Sequence, residues 1–194
     1  MNVTLDGVFT DIQQRLTDAA GNRRSPMHTP VLATADADAR VLVLRGFDPV
    51  DMELRFHTDA RSPKVNVISE QPSVGVLFYD AAEKVQIRCR GLARIDRDSE
   101  QATSAWQGST NYARRCYLGD PPGETRSAPD SGLPEWAEGR QPSEAELAPA
   151  RENFAVLHVR IESVDWYCLS HEGHRRAIFL RDQFASRKGI WVTP

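Results

Sequence analysis

The sequence predicts a mainly β protein, a β-barrel or sandwich flanked by a few helices. Three observations predict it. Apolar residues alternate with polar ones in about seven or eight separate runs, the strand signature. Most of these runs follow one another closely, whereas parallel neighbours would need crossovers of roughly a dozen residues or more, so the pairing is expected to be antiparallel. Helical spacing is confined to short flanking segments, which suits a closed or packed sheet decorated by helices.

The first segment is a helix. Leu5, Val8, Ile12, Leu16 and Ala19 recur on one face, with Asp6 near the start and Gly21 after the end. The polar connection GNRRSPMHTP follows. VLATAD (31–36) and RVLVLRGF (40–47) then read as a hairpin, and the apolar run Val41 to Leu44 suggests that the second strand is central. ELRFHTD (53–59) alternates, with Leu54 and Phe56 on one side and Arg55 and His57 on the other. Ser62 is a good N-cap and Pro63 a good first residue for a short helix whose Val65 and Ile68 face inward.

SVGVLFYD (73–80) reads as another buried strand. KVQIRCRGLARID (84–96) is the clearest one, with Val85, Ile87, Cys89, Gly91, Ala93 and Ile95 on one face and Gln86, Arg88, Arg90 and Arg94 on the other. Two helical stretches follow, DSEQATSAWQ and TNYARRCYL. Residues 119–150 hold six of the twelve prolines and four of the twelve glycines, so they are expected to form a long excursion rather than an element. Strands resume at NFAVLHVRIE (153–162), VDWYCLS (164–170) and HRRAIFLR (174–181), and GIWVTP adds a last candidate. The 194 residues are expected to form one domain, 1–194.

Bulk composition narrows the function. A net charge of -3 and a pI near 6.0 give no reason to expect a nucleic-acid partner. No segment approaches the roughly 20 apolar residues that span a bilayer, and the N-terminal stretch has no basic leader. Cys89, Cys116 and Cys168 are widely spaced and odd in number, which disfavours a disulfide framework or zinc site. The expected location is cytoplasmic.

Candidate chemistry concentrates in Arg61-Ser62-Pro63-Lys64. If Ser62 heads a helix, the first-turn N–H groups, the hydroxyl and the Lys64 ammonium together suit a phosphate, and Arg40 and Arg45 bracket a strand that could reach it. A plain solvated cap is the commoner reading of these residues taken alone. Gln86 between arginines could read the imide edge of a heterocycle, or belong to a solvated basic stripe. His171-Glu-Gly-His174 lacks the i, i+4 helical spacing of a zinc motif, so no metal is expected. Cys116 sits in an RRCY context that could lower a thiol pKa, or is a buried structural residue.

The order of these features is more specific than any one of them. R-V-L-V-L-R, F-H-T-D, S-P-K heading a helix, V-G-V-L-F-Y and V-Q-I-R-C-R-G-x-A resemble the pyridoxamine 5'-phosphate oxidase family, and more closely its oxidase-like FMN-binding branch. The match is dense from about 29 to 96 and thinner after 150, where H-R-R and W-V-T-P fit the family's C-terminal end.

The resemblance implies a split β-barrel of the FMN-binding type, a homodimer with FMN in two clefts between the subunits. It implies cofactor contacts from Arg40, Val41, Leu42 and Arg45, from the aromatic-Thr pair His57 and Thr58, and from Ser62 and Lys64 at the phosphate. Gln86 corresponds to a glutamine near the flavin ring, and Trp166 and Arg175 to C-terminal contacts. Departures fall mainly on the substrate side. Pro63 stands where the oxidases carry an arginine, with Arg61 a candidate replacement. The R-x-H substrate pair ends at Ala177, a further flavin arginine falls on Phe179, and the substrate-phosphate residues find no match between Trp106 and Tyr117. The implied function is an FMN-dependent oxidoreductase of unidentified small-molecule substrate. The alternatives are an FMN carrier or sensor without turnover, or a haem or deazaflavin binder.

Overall fold

In the computed structural model, which describes residues 3–194, antiparallel strands form a curled half-barrel with flanking helices. The order is helix α1 (Leu5–Gly21), strands β1 (Val31–Ala33), β2 (Ala39–Val41), β3 (Leu44–Asp48) and β4 (Glu53–Asp59), and helix α2 (Pro63–Glu70). Strands β5 (Ser73–Asp80) and β6 (Val85–Asp96) precede helices α3 (Glu100–Gln107) and α4 (Asn111–Arg114). After α5 (Glu144–Leu147) come β7 (Phe154–Cys168), β8 (Arg175–Leu180) and β9 (Ile190–Val192).

The strands pair in the order β2-β1-β5-β6-β7-β4-β3, and β8 joins β7 and β9. β7 is long enough for two neighbours on one edge: its first half pairs with β4 and its second half with β8, while β6 runs along the other edge. The register slips between Arg90 and Gly91. A Cβ at Gly91 would collide with the Arg160 carbonyl, so this bulge requires glycine.

The curl is forced by the segment 40–47. β2 and β3 lie at opposite ends of the strand order, yet only Leu42 and Val43 separate them. The connection is tacked down by hydrogen bonds from Leu42 N to the Pro30 carbonyl and from Leu44 N to the His28 carbonyl, at 3.0 and 2.9 Å. This corrects the expected single central strand. Leu44 is buried in the core and Leu42 packs against it, but Val41 is 62% exposed on the outer face, so the run is apolar because it changes face and partner. β5 is likewise only half buried: Val74, Val76 and Phe78 face the core, while Leu77 and Tyr79 are exposed. The two strands expected over 153–170 are one continuous β7.

α1 forms where the sequence predicts, with the Thr4 hydroxyl accepting from Gly7 N. Its Phe9 packs against Phe179 and Phe184, with ring centroids 5.1 and 5.6 Å apart, joining the helix to the barrel core. A second apolar cluster lies outside the barrel, where Trp106, Tyr117 and Leu147 close over Phe154 and Val156 of β7. It holds α3, the turn that follows α4 and the end of the 119–150 excursion against the sheet. Among the described residues no helix is long and apolar enough to cross a membrane.

Candidate functional site

β4 and α2 build the first half of the site. Along β4, Leu54, Phe56 and Thr58 are buried, while Arg55 and His57 take the opposite face. Asp59 then starts the turn into α2, its Oδ1 accepting from Arg61 N at 2.8 Å. Ser62 occupies the N-cap position with extended backbone, but its hydroxyl makes no capping bond to the helix. It accepts instead from Lys64 Nζ, at 2.7 Å.

That ammonium is half-buried, and burial is the main force lowering its pKa from the ordinary value. The nearby Arg40 guanidinium lowers it further, with Asp59 and Asp38 opposing. Arg40 is itself fixed by the Thr34 hydroxyl, at 2.8 Å, and by Asp38. Two cations and a buried hydroxyl thus converge at the first turn of a helix, a donor set that fits a phosphate dianion.

Arg61 does not join them. Its guanidinium forks onto Asp59, Nε to Oδ1 at 3.0 Å and Nη2 to Oδ2 at 2.7 Å, and it also donates to the Gly119 carbonyl at 2.9 Å. Arg61 therefore ties the start of the 119–150 excursion to the turn. Gly123, with a φ of 96° that favours glycine, lies against the Pro63 ring.

Arg45 and His57 sit elsewhere. They line a cavity of about 380 Å³ together with Arg23, Arg55, Ser109 and Thr110. His57 packs edge-on against Phe154, with centroids 5.0 Å apart. Its pKa is pushed down to about 4, first by burial and then by the charges of Arg45 and Arg55. Thr58, the neighbour of His57, faces the opposite side of the sheet and is buried.

Gln86 lies on the outer face, opposite Tyr79 of β5 and Tyr167 of β7. The basic stripe around it is partly neutralised: Arg88 donates to Asp165 at 2.5 Å, and Arg176 forks onto the same carboxylate at 3.0 and 2.7 Å. Trp166 pairs with Ile87 and faces the barrel core, its indole N–H buried without a partner among the described residues. Arg175 opens β8 and lines a separate pocket with His174, Arg176 and Trp191. β2 and β8 are separated by β1, β5, β6 and β7, so one chain does not bring Arg40 and Arg175 together along the sheet.

The structure thus gathers Arg40, Ser62 and Lys64 in one place and Arg45 and His57 in another. Val41 and Leu42 run between the two groups. Sequence reasoning missed Thr34 and Asp38, which hold Arg40, and Asp165, which holds Arg88 and Arg176. Arg55 was visible as the alternation partner of His57. Arg23, in a polar connection, carried no periodic signal.

Residues 10–96 match the family model for the FMN-binding domain of pyridoxamine 5'-phosphate oxidase. The matched span includes both β4 and the Ser62–Lys64 turn, and it shows the resemblance read from the motifs. No curated protein matches the chain.

Among solved structures, a pyridoxamine 5'-phosphate oxidase-related, FMN binding protein from Nostoc punctiforme PCC 73102 is similar over 100% of both chains, at 24% identity and a TM-score of 0.74. PhzG from Burkholderia lata 383, in complex with tetrahydrophenazine-1-carboxylic acid, aligns over 96% of this chain and 92% of its own, at 17% identity and a TM-score of 0.66. A heme binding protein from Mycobacterium smegmatis aligns over 96% of this chain and 62% of its own, at 12% identity and a TM-score of 0.50. At these identities the likeness is one of fold, and the fold is the split β-barrel of pyridoxamine 5'-phosphate oxidase-like proteins.

Proposed function

We propose that the chain binds FMN and works as an FMN-dependent oxidoreductase. The observation that carries this reading is the Lys64 ammonium on the Ser62 hydroxyl, with Arg40 close enough to depress its pKa. A bound phosphate dianion would pair with the Lys64 ammonium, which makes no salt bridge among the described residues, beside an Arg40 that Asp38 already engages.

Arg40, Thr58, Ser62 and Lys64 would hold the phosphate. Val41 and Leu42 would run beside the flavin, and Gln86 would offer a donor and an acceptor to its ring. FMN supplies two-electron redox chemistry, and the chain binds, orients and shields it. Arg45, His57, Trp166 and Arg175 do not converge on the phosphate cradle within one chain, and in this reading they act around the flavin's periphery or from a second copy.

That second copy is also proposed. One cross-strand row on the outer face runs Val41, Val31, Leu77, Arg88, Asp165, Ile178, Ile190. Its ends are apolar, with Ile190 55% exposed, and its centre is a charge pair. An exposed row of this kind suits a self-complementary interface. The free cysteines fit a reducing compartment, and we place the protein in the cytoplasm.

A carrier without turnover is favoured by one feature. Where the oxidases have the substrate histidine, Ala177 is fully buried in the core, and its neighbour Arg176 is held by Asp165. Rapid mixing of the FMN-loaded protein with a reduced nicotinamide or an amine separates the readings. Bleaching of the flavin absorbance supports the oxidoreductase, and unchanged absorbance with every donor supports the carrier.

A further inference from the structure

We infer that Glu53, His158 and Asp96 form an acid-closing latch, which draws the start of α3 onto the barrel wall when the imidazole takes up a second proton. The latch uses none of the residues assigned to the cofactor and does not depend on the flavin reading.

The argument begins with placement. His158 of β7 is fully buried. Its register partners are Arg94 on β6 and Arg55 on β4, which makes Asp96 and Glu53 its diagonal neighbours, one on each side. Its Nδ1 lies 2.7 Å from Glu53 Oε1. Its Nε2 lies 3.7 Å from Asp96 Oδ2 and, among the described residues, is buried without a hydrogen-bond partner.

A neutral imidazole carries one N–H, and a carboxylate can only accept. The short contact to Glu53 therefore puts the proton on Nδ1. Nε2 is left as a lone pair facing the Asp96 carboxylate, two acceptors with nothing shared between them. One proton from solvent, added at Nε2, turns this contact into a charge-assisted hydrogen bond. The 3.7 Å gap then closes to about 2.8 Å.

Asp96 is also the anchor of α3. Its Oδ1 accepts from Ser99 N at 3.2 Å and its Oδ2 accepts from the Ser99 hydroxyl. That hydroxyl caps α3 by accepting from Ala102 N at 3.1 Å. A movement of Asp96 towards His158 is thus passed to the first turn of the helix. α3 sends Ala102 and Trp106 into the outer apolar cluster, and Ser104 and Ala105 to the cavity that Arg45 and His57 line. The latch therefore joins pH to that wall.

The groups around His158 set the direction. Burial pushes its pKa below the ordinary value and Arg94 lowers it further, while the Glu53 bond and the Asp96 charge oppose them. Arg94 reaches both carboxylates, Glu53 at 3.4 Å and Asp96 at 3.9 Å. Arg55 faces the ring from β4 and lies over Gly46. Arg160, next on this face of β7, is paired with Glu162, and Glu100, the one ionisable residue of α3, is exposed. Burial also works against the Asp96 charge, yet the two Ser99 donors and Arg94 hold its pKa below the usual carboxylate value. The latch is open at neutral pH and closes in acid.

The test is a pH titration of the folded full chain, followed by long-range proton–nitrogen NMR correlations that tell Nδ1–H from Nε2–H in each histidine ring. The His158 signals are identified by their absence in His158→Gln. At neutral pH the ring should carry its proton on Nδ1. In acid both nitrogens should be protonated, and the Ser99 and Ala102 amide signals should move with the same midpoint. In His158→Gln those amides should no longer move in this range. Asp96→Asn should weaken proton uptake by the ring about tenfold or more. A neutral ring with its proton on Nε2 would overturn the inference, as would a ring that stays neutral to the lowest pH at which the chain is folded. It is overturned equally if the Ser99 and Ala102 amides ignore the titration, or if Asp96→Asn titrates as the parent does.

Discussion

Lys64 Nζ donates to the hydroxyl of Ser62, two positions earlier, at 2.7 Å. Side chains at i and i+2 do not ordinarily meet on a helix surface, and they meet here because Ser62 lies outside the helix in extended backbone. The ammonium is thereby brought back over the helix start rather than out into solvent.

Removing the ammonium should be felt at once. Lys64→Ala is expected to weaken FMN binding by roughly 1.5–3 kcal/mol, the scale of a charge-assisted hydrogen bond. Titration of FMN fluorescence against each protein checks it. An unchanged dissociation constant would move the phosphate elsewhere.

Arg61 is not a stand-in for the missing arginine, because Asp59 and the Gly119 carbonyl hold it. Pro63→Arg should therefore tighten FMN binding, by up to roughly 1.5–3 kcal/mol if the new guanidinium reaches the phosphate. Arg61→Ala should leave the affinity nearly unchanged and speed trypsin cleavage within 119–150. A large loss of affinity in Arg61→Ala would reverse this assignment.

His57 gives the fold a defined acid weakness. Its folded pKa, about 4, lies below the ordinary 6.5, so between these values the unfolded chain binds the extra proton. Stability is therefore unaffected by this group above about pH 6.5, falls as the pH drops through the window, and stops falling below about 4. The loss amounts to roughly 3 kcal/mol at most. His57→Phe keeps an aromatic ring against Phe154 and should flatten this part of the profile, as urea denaturation at pH 7 and pH 4.5 would show. Parallel profiles for the two proteins would contradict it.

Gly91 is needed for steric reasons alone. Gly91→Ala places a methyl group against the Arg160 carbonyl, so the β6–β7 register must shift where the sheet is longest. A destabilisation of roughly 1–3 kcal/mol is expected, the scale of overpacking. Thermal denaturation measures it, and an unchanged midpoint would show that the bulge relaxes freely.

Much of the fold was legible because strand alternation is local. Leu54 and Phe56 against Arg55 and His57 gave β4 to the residue, and the Ile87 and Cys89 alternation gave β6. The break in 40–47 was hidden for the opposite reason. Its cause is the long-range requirement that two sheet ends meet, which leaves Val41 outside and Leu44 inside with no punctuating Gly or Pro between them. At the site, Ser62 and Lys64 were legible from spacing. That Arg61 serves Asp59, that Arg45 turns toward His57, and that Arg23 comes to meet them depend on tertiary contacts, which the sequence pattern does not encode.

The central claim is that this chain holds FMN, and titrating FMN into the purified full chain while following its fluorescence tests it most directly. The account predicts quenching that saturates at one FMN per chain, with a flavin absorption spectrum in the complex. Unquenched fluorescence at every protein concentration, or a protein that carries a haem Soret band instead, would contradict it.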